Sequence, residues 1–277
     1  TIPMLLKKII KNLPPNINKN IKINGLSLDS RQIKKNYLFF AVKGKVTNGE
    51  RYIFDAISKG AKIVVCSHKC QITKITKSKI PIIKVRNISK VIIQACKKFY
   101  FRKPNNIIAI TGTNGKSSVA EFYHQILTMH KIPVASIGTL GIKTKNKIKK
   151  TSLTSLDIIS LHRELSEIKN QGINNVAIEA SSHGLSQNRL SGLDFKTAIF
   201  TNFSQDHLDY HKSMKNYLQA KLILFFKILK KKQNIITDNQ IKEFKKLKAI
   251  TKKKNLNMLT IGTKNSNIKY NSLIPTN

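Results

Sequence analysis

The sequence predicts an α/β protein, with a small N-terminal α/β domain and a larger second domain built on a mostly parallel sheet. Short β-branched runs of strand length alternate with longer segments of helical period along most of the 277 residues. The segment KPNN at 103–106 interrupts this alternation and is typical of a linker. We therefore predict two domains, at residues 1–103 and 104–277.

The first domain is predicted to contain three strands and two helices. The strands are predicted at 37–43, 61–67 and 81–85, and the helices at 52–59 and 88–101. The shorter helix stops at Gly60, and Pro104 follows the longer one. Apolar residues recur at helical spacing along the longer helix, and they are Ile88, Val91, Ile92, Ala95 and Phe99.

The second domain is predicted to alternate strands and helices. The strands are predicted at 107–110, 134–138, 175–180 and 196–202, and the helices from about 116, at 156–170 and at 214–230. Apolar faces are predicted at Val119, Phe122, Tyr123, Ile126 and Leu127 in the first helix, and at Ile158, Leu161, Leu165 and Ile168 in the second. This order favours a parallel sheet covered on both faces, with ligands bound beyond the carboxyl ends of its strands.

The C-terminal part of the sequence has a weaker pattern. Beyond Phe226 it is rich in Lys, with one further strand predicted at 233–237 and little periodicity in the tail at 264–277. We therefore predict a parallel sheet that is incomplete at its C-terminal end.

The composition is strongly basic, with 51 Lys and Arg residues against 13 Asp and Glu residues and a formal net charge of +38. Such a charge is expected of a nucleic-acid-binding protein or of one that attracts anionic substrates. However, only six of the basic residues are Arg, and the Lys residues are spread along the whole chain among many Ile and Asn residues. This mixture is also what an AT-rich genome produces, so we expect no nucleic-acid partner.

The apolar runs and the cysteines indicate the compartment. The longest apolar runs are far shorter than the roughly 20 residues of a membrane-spanning helix, so no membrane association is expected. The three cysteines, Cys66, Cys70 and Cys96, are an odd number, which fits free thiols better than a disulfide framework. We therefore predict a cytoplasmic protein.

The segment ITGTNGKSS at 110–118 lies between a predicted strand and a predicted helix. Gly112 and Gly115 allow the backbone to turn with its N–H groups inward, and the helix N-terminus adds partial positive charge. Lys116 supplies a charge for the β- and γ-phosphates, and Ser117 supplies a hydroxyl that can bind Mg²⁺. The first glycine of the common P-loop pattern is missing, but the context predicts a mononucleotide site rather than a simple glycine turn.

Acidic and histidine side chains follow two other predicted strands. Glu179 ends an apolar strand, where it is either a Mg²⁺ ligand or an ordinary strand-end acid. The segment DHLDYH at 206–211 combines two Asp and two His residues, which suggests an ion site, with magnesium favoured over zinc. Gln187 and Arg189 are candidates for holding an anionic substrate, since Arg pairs well with a carboxylate.

Lys221 falls on the apolar stripe of the predicted helix at 214–230. The stripe consists of Met214, Tyr217, Leu218, Leu222 and Phe225. A buried ammonium is costly and tends to lose its proton. Lys221 is therefore either a side chain that reaches back to water or a chemically altered lysine that serves the metal site.

Several motifs, in the same order along the chain, resemble the Mur ligase family, and within it the E type. They are LDSR at 28–31, the segment at 38–65, TGTNGKSS at 111–118, SSHGLSQNR at 181–189, TNFSQDHLDYH at 201–211 and the pair Ala220-Lys221. The resemblance covers nearly all of residues 20–240. It implies an ATP-dependent ligase that works as a monomer and joins an amino acid, meso-diaminopimelate in most members, to UDP-MurNAc-L-Ala-D-Glu during peptidoglycan synthesis.

The resemblance also implies roles for individual residues. ATP is implied to bind at Gly112, Thr113, Asn114, Gly115, Lys116, Ser117 and Ser118. The UDP-linked substrate is implied to bind at Leu28, Ser30, Thr154, Ser155, Ser181, Gln187 and Arg189. Magnesium is implied to bind at Ser117, Glu179, His207 and a carboxylated Lys221, with Lys116, His207 and Lys221 as the catalytic residues.

The sequence departs from the family pattern in two places. Leu153-Thr154-Ser155 stands where many members have Asn-Thr-Thr. The sequence also lacks the DNPR motif that selects diaminopimelate and the C-terminal domain that carries it, so lysine remains the alternative third amino acid. We therefore expect a fragment that binds ATP or the UDP-linked substrate weakly and does not complete the ligation.

Three alternatives remain at this stage. A folylpolyglutamate synthetase shares the TGTNGKSS loop but is expected to lack the LDSR region. A basic nucleic-acid-binding protein would account for the net charge. An inactive remnant of a ligase is the third, although the loop, Glu179, His207 and Lys221 are all intact.

Overall fold

The computed structural model describes residues 2–44, 48–71, 80–145, 147–150 and 156–270. The chain forms two compact units, the first made of Thr1–Phe101 with Ile158–Arg163, and the second of Arg102–Asp157 with Glu164–Asn277. Residues 158–163 join the first unit, which the sequence pattern did not predict.

The first unit contains a four-stranded parallel sheet and a separate two-stranded antiparallel pair. Its parallel sheet has the strand order β3-β4-β5-β6, and β1 pairs with β2. In chain order the elements are β1 (Met4–Leu5), α1 (Leu6–Ile9), β2 (Lys22–Ile23), β3 (Gly25–Ser27), β4 (Tyr37–Ala41), α2 (Ile53–Ser58), β5 (Ala61–Ser67), β6 (Ile82–Val85) and α3 (Ile88–Phe99).

The parallel sheet of the first unit is buried on both faces. Leu38 and Phe40 of β4 pack into one apolar cluster, whereas Phe39 and Ala41 pack into another. Because neighbouring side chains on a strand point to opposite faces, a doubly covered strand needs a continuous apolar run, and YLFFA is such a run. This is why the sequence pattern located β4 and β5 well.

The second unit is built on a larger sheet. In chain order its elements are β7 (Asn106–Thr111), α4 (Lys116–Met129), β8 (Val134–Gly138), β9 (Gly141–Thr144), β10 (Lys147–Lys149), α5 (Ile158–Asn170), β11 (Asn175–Glu179), α6 (Ser182–Ser186), β12 (Thr197–Phe200), α7 (Leu208–His211), α8 (Met214–Ile223), β13 (Asn234–Asp238), α9 (Phe244–Lys254), β14 (Asn257–Gly262) and β15 (Ile268–Lys269). The first part of α5, Ile158–Arg163, belongs to the first unit. Among the described residues the sheet has nine strands, in the order β10-β9-β8-β11-β7-β12-β13-β14-β15. Neighbouring strands are parallel throughout the run β8-β11-β7-β12-β13-β14-β15. At the β8 edge, β9 and β10 add an antiparallel extension.

The strand order places three strand ends side by side. β7 lies between β11 and β12, and all three run in the same direction. Glu179 is paired with Ile110, and Phe200 is paired with Thr111. The residues that follow β7, β11 and β12 therefore meet at one edge of the sheet, which confirms the predicted parallel architecture.

The predicted apolar face of α4 is wrong in part, since Val119 and Tyr123 pack against the core but two other predicted members do not. Phe122 and Ile126 of α4 are 60% and 56% exposed, and the buried residues of this helix are Ala120 and His124 instead. The Lys-rich region after Phe226 contains α9 and β14, and β14 extends the sheet beside β13. The helix predicted at 214–230 is α-helical only as far as Ile223 and continues as a π-helix at Leu224–Ile228.

None of the helices in the described parts of the chain has the length and apolar character that crossing a membrane requires.

Candidate active site

The loop between β7 and α4 has the backbone geometry of a phosphate-binding loop. Gly112 and Gly115 have φ angles of +148° and +82°, which side-chain-bearing residues rarely adopt. A Cβ on Gly112 would also lie 1.8 Å from Oγ1 of Thr201, so the close approach of these two residues requires glycine. α4 begins at Lys116, so its unpaired N–H groups face the loop.

The segment that follows β12 holds this loop in place. The backbone N–H of Asn114 donates to Oδ1 of Asn202 at 2.9 Å, and Oγ1 of Thr201 donates to the Asn114 carbonyl at 2.7 Å. The N–H of Ser204 donates to Oγ1 of Thr113 at 3.0 Å. Thr201, Asn202 and Ser204 were not predicted as site residues, although their position directly after an apolar strand was a usable signal.

Two lysines converge on one carbonyl oxygen of the loop. Nζ of Lys116 donates to the carbonyl of Gly112 at 3.0 Å and to that of Thr113 at 2.7 Å. Nζ of Lys221 donates to the same Gly112 carbonyl at 2.6 Å. Lys221 is only 1% exposed and its amine lies 4.4 Å from the centre of the Tyr217 ring, so it does not reach back to water.

This environment lowers the pKa of both lysines. Burial lowers the pKa of Lys116, and the carboxylates of Glu179 and Asp206 oppose that effect. Burial and then the charge of Lys116 lower the pKa of Lys221 to about 7, against the attraction of Asp206. Near neutral pH a substantial fraction of Lys221 is therefore an uncharged amine.

Glu179 lies beside the first turn of α4. Its Oε2 accepts a hydrogen bond from Oγ of Ser117 at 2.9 Å and another from Oγ1 of Thr139 at 3.3 Å. Its Oε1 accepts from the backbone N–H of Thr139 at 3.3 Å. The carboxylate thus faces the predicted phosphate loop, and Thr139 is a second contact residue that the sequence analysis missed.

His207 lies in a group of aromatic and imidazole rings. Its ring centroid is 5.2 Å from that of His183 and 6.0 Å from that of Tyr217, and its Nε2 is 3.3 Å from Oδ2 of Asp206. His211 is buried, and its Nε2 is within hydrogen-bonding distance of Oγ of Ser182 at 2.9 Å. Burial is the main cause of the lowered pKa of His183 and His211, so both favour the neutral form.

The acidic and histidine residues at 206–211 do not form a metal site by themselves. In the described ranges, no three His, Cys, Asp or Glu residues are arranged to hold a metal ion. A magnesium site would therefore need other ligands. The oxygens of Ser117 and Glu179 fit Mg²⁺, because the Ser117 hydroxyl can donate to Glu179 and still offer its lone pairs to a cation.

The other predicted residues of the second unit have the following contacts. Ser118 is exposed in the first turn of α4, and Oγ of Ser181 accepts from the N–H of Gly184, capping α6. Nη2 of Arg189 donates to Oε1 of Gln187 at 2.6 Å, and Nε2 of Gln187 donates to the hydroxyl of Tyr210. Thr154 and Ser155 lie outside the described residues.

The two candidate residues of the first unit lie around a short turn. Ser30 is 4% exposed and begins the 3₁₀ turn at Ser30–Gln32. The hydrogen bond from Lys59, and then one from the Ser30 side chain, lower the pKa of the Asp55 carboxyl. Leu28 is partly buried against the apolar cluster of this unit. Arg31 pairs with Asp29 at the surface rather than in a buried site.

Comparison with protein families places both parts of the chain in the same group. Residues 110–276 match the Mur ligase middle domain, and residues 22–100 match the catalytic domain of the Mur ligase family. The first match alone covers more than half of the chain.

Individual relatives agree with these family matches. The chain is 40% identical, over 247 residues, to the UDP-N-acetylmuramoyl-L-alanyl-D-glutamate–2,6-diaminopimelate ligase of Rickettsia montanensis, covering 88% of this chain and 50% of that protein. It is 39% identical over 211 residues to the protein of the same name from Rhizobium meliloti, covering 76% of this chain and 43% of that one. The chain thus spans about half the length of the curated relatives it matches.

Solved structures share the fold. One of a UDP-N-acetylmuramoyl-L-alanyl-D-glutamate–2,6-diaminopimelate ligase matches with a TM-score of 0.78 and 24% identity, covering 96% of this chain and 54% of that one. MurF from Acinetobacter baumannii matches with a TM-score of 0.66 and 16% identity, covering 95% of this chain and 54% of that one.

Proposed function

The chain belongs to the Mur ligase family, and from this we propose that it is part of an ATP-dependent ligase of peptidoglycan precursor synthesis. The reaction is the addition of meso-diaminopimelate to UDP-MurNAc-L-Ala-D-Glu. The proposal rests above all on the convergence of Lys116, Lys221, Ser117 and Glu179 at the ends of adjacent parallel strands. Residues 22–100 match the catalytic domain of the Mur ligase family, which favours a muramoyl substrate over a folate.

The loop and Lys116 are proposed to bind the triphosphate of ATP. The inward N–H groups and the N-terminus of α4 favour an anion, and Lys116 adds a full positive charge. In the structure Lys116 is bound to loop carbonyls, so a phosphate oxygen would replace the carbonyls of Gly112 and Thr113 as its partner. Charge on the γ-phosphate oxygens would then be neutralised at the lysine as the bond to ADP breaks.

Ser117 and Glu179 are proposed to hold Mg²⁺, together with His207 and a modified Lys221. When bound, Mg²⁺ would offset the negative charge of the triphosphate and help to orient it. A protonated lysine cannot bind a cation, but the uncharged amine of Lys221 can add CO₂ and lose a proton. The product is a carbamate, an oxygen ligand with a negative charge, and the pKa of about 7 makes the uncharged amine available at neutral pH.

The proposed reaction has two steps. An oxygen of the D-glutamyl carboxylate attacks the γ-phosphorus of ATP, the bond to ADP breaks, and an acyl phosphate forms. The amine of the incoming amino acid then attacks the acyl carbon, loses a proton and displaces inorganic phosphate. The residues of this chain are proposed to serve the first step, in which the carboxylate and the triphosphate must be held in line.

The UDP-linked substrate is proposed to bind at the remaining predicted residues. The guanidinium of Arg189 and the amide of Gln187 are already held together, so they present a preorganised partner for a carboxylate. Ser181, Thr154 and Ser155 are proposed to contact the dipeptide, and Leu28 and Ser30 the uridine nucleotide.

The same proposal includes the cellular compartment, the oligomeric state and the partners of the protein. Cys66, Cys70 and Cys96 are buried and are not joined in a disulfide within the described residues, which supports a cytoplasmic location. We propose a monomer whose partners are ATP, the UDP-linked substrate and an amino acid, with no nucleic-acid or membrane partner.

Nucleotide binding tests the proposal. We expect the protein to bind Mg·ATP in isothermal titration calorimetry and expect Lys116→Ala to weaken binding at least about tenfold, because a charge-assisted contact is lost. Lys245→Ala is the matched control, since this lysine lies on α9 and is exposed. Equal affinities for Lys116→Ala and the unmodified protein would contradict the assignment of the loop.

A further inference from the structure

We propose that Gly138 and Thr139 are positioning residues for Glu179, and that the turn between β8 and β9 is therefore part of the candidate active site. This inference rests on the proposed function, because it concerns how the chain orients a carboxylate that is proposed to bind Mg²⁺. Neither residue was singled out by its sequence pattern.

Position 138 requires glycine because there is no room for a side chain, and not because of its backbone angles. It is absent from the glycines with positive φ, so a residue with a side chain could adopt its conformation. However, a Cβ at this position would lie 1.9 Å from Oε1 of Glu179, 2.3 Å from Cδ and 2.7 Å from Cγ. The carboxyl group of Glu179 occupies the place that a side chain of residue 138 would fill.

The sheet explains why these two residues meet. β8 and β11 are parallel neighbours, and Ile137 is paired with Ile178. Gly138 and Glu179 are the next residues on the two strands, so they lie side by side at the sheet edge. Because the colliding atoms belong to the end of a flexible side chain, Gly138→Ala is expected to displace the carboxylate without disrupting the sheet.

Thr139 fixes the orientation of the carboxylate from the turn. Its backbone N–H donates to Oε1 and its Oγ1 donates to Oε2, both at 3.3 Å, while Ser117 donates to Oε2 from α4 at 2.9 Å. Each carboxylate oxygen has two lone pairs, so these three hydrogen bonds leave room for a cation. The carboxylate is thus held from two sides and remains able to bind a metal.

The turn itself is firmly built. Gly138 pairs with Gly141 across the hairpin, and Gly141 has a φ of +105°. A Cβ on Gly141 would lie 2.4 Å from the backbone oxygen of Lys149 in β10, so the turn is packed closely against the next strand. A rigid turn is a suitable support for an orienting contact.

Metal-dependent nucleotide binding tests this inference. The affinity for ATP is measured with Mn²⁺ and with EDTA, and Mn²⁺ binding is followed by electron paramagnetic resonance. We expect Thr139→Val and Gly138→Ala to weaken Mn²⁺-dependent ATP binding about three- to tenfold, which is about the effect of losing one ordinary hydrogen bond. ATP binding in EDTA and the thermal unfolding midpoint are expected to change little.

Two further variants separate the possible results. Thr139→Ser keeps the hydroxyl and is expected to bind Mn²⁺ and ATP like the unmodified protein. Glu179→Gln tests whether Glu179 itself contributes to metal binding.

If Glu179→Gln leaves the Mn²⁺ dependence unchanged, the proposed role of Glu179 fails, and this inference fails with it. If Glu179→Gln weakens binding but Thr139→Val and Gly138→Ala do not, only the inference is overturned. Equal losses in EDTA and in Mn²⁺ would also overturn it, since they indicate a general structural effect.

Discussion

Lys221 combines two properties at the residue scale: its side chain is almost fully enclosed, and its amine is bound to a backbone carbonyl oxygen. Enclosure removes the water that stabilises an ammonium, and the neighbouring charge of Lys116 adds repulsion. The same position on a helix that faced water would hold an ordinary charged lysine. Its chemistry therefore follows from its surroundings in the second unit.

The lowered pKa of Lys221 predicts how stability changes with pH. The unfolded chain keeps the ordinary lysine pKa of 10.5, whereas the folded value is about 7. The unfolded state therefore binds more protons between these values, so the free energy of unfolding falls as pH falls from about 10.5 to about 7. Lys221→Met removes this penalty, and we expect it to stabilise the protein at pH 7 by about 1–4 kcal/mol, less the lost hydrogen bond.

Urea unfolding of both proteins in CO₂-free buffer, at pH 7 and pH 10, measures this effect. The stabilising effect of Lys221→Met is expected to shrink at the higher pH. Lys227→Met is the control, because this lysine is exposed near the end of the same helical region. A difference between Lys221→Met and the unmodified protein that does not depend on pH would contradict the lowered pKa.

The sequence pattern indicated the surroundings of Lys221 and Glu179 but not the partners of the loop. The stripe on α8 correctly placed Lys221 among buried apolar residues, and strand ends correctly placed Glu179 beside the loop. The contacts of Thr201, Asn202 and Thr139 depend on which strands are neighbours in the sheet. Strand order is a property of the tertiary fold, so a local pattern can mark Thr201 and Asn202 as residues that follow a strand but cannot identify what they contact.

At the element scale, α4 shows how a local pattern can misplace part of a buried face, since Val119 and Tyr123 pack against the core but Phe122 and Ile126 do not. Phe122, Ile126 and Met129 recur at helical spacing, yet they are 60%, 56% and 81% exposed. Their spacing is correct for an apolar stripe, but the small Ala120 and the polar His124 face the sheet instead. Close packing of a helix on a sheet favours small residues, which an argument from hydrophobicity alone does not weigh.

His124 makes the stability of α4 depend on pH. Its side chain is buried, its Nε2 has no hydrogen-bond partner within the described structure, and burial lowers its pKa below 6.5. The unfolded state therefore takes up a proton more readily, and stability is lost as pH falls below about 6.5. We expect His124→Met to raise the melting temperature more at pH 5 than at pH 8.

Thermal unfolding followed by circular dichroism at both pH values provides the measurement. His130→Met is a matched control, because His130 follows α4 and is exposed. The same change in melting temperature at both pH values for His124→Met would show that protonation of His124 has no part in the stability of α4.

α9 was missed for a different reason. Leu247 and Thr251 are buried one turn apart, but six lysines surround them in FKKLKAITKKK. The lysines lower the average hydrophobicity without changing the buried face, so the segment looked unpatterned. High Lys content therefore hid a helix whose packing is ordinary.

At the scale of the whole molecule, the net charge of +38 is the dominant feature. Dispersed like charges repel one another more in the compact state than in the unfolded chain. Salt shortens the screening length from about 30 Å at 0.01 M to about 10 Å at 0.1 M, so it weakens this repulsion. The stability of the protein is therefore expected to depend strongly on ionic strength.

We expect the melting temperature to rise by several degrees between about 10 mM and 300 mM NaCl, with most of the rise below about 100 mM. Differential scanning fluorimetry across a NaCl series measures it. A parallel series with an uncharged osmolyte separates screening from general solute effects. A flat or falling melting temperature would show that the charges are too widely spaced to destabilise the fold.

The shared carbonyl of Gly112 couples ligand binding at the loop to the state of Lys221. One oxygen atom is the partner of both Lys116 and Lys221, which come from different helices. Any molecule that draws Lys116 away changes the electrostatic field at Lys221 at the same moment. Ligand binding at the loop and protonation of Lys221 are thus thermodynamically linked. Each is expected to change the equilibrium of the other without any large movement of the chain.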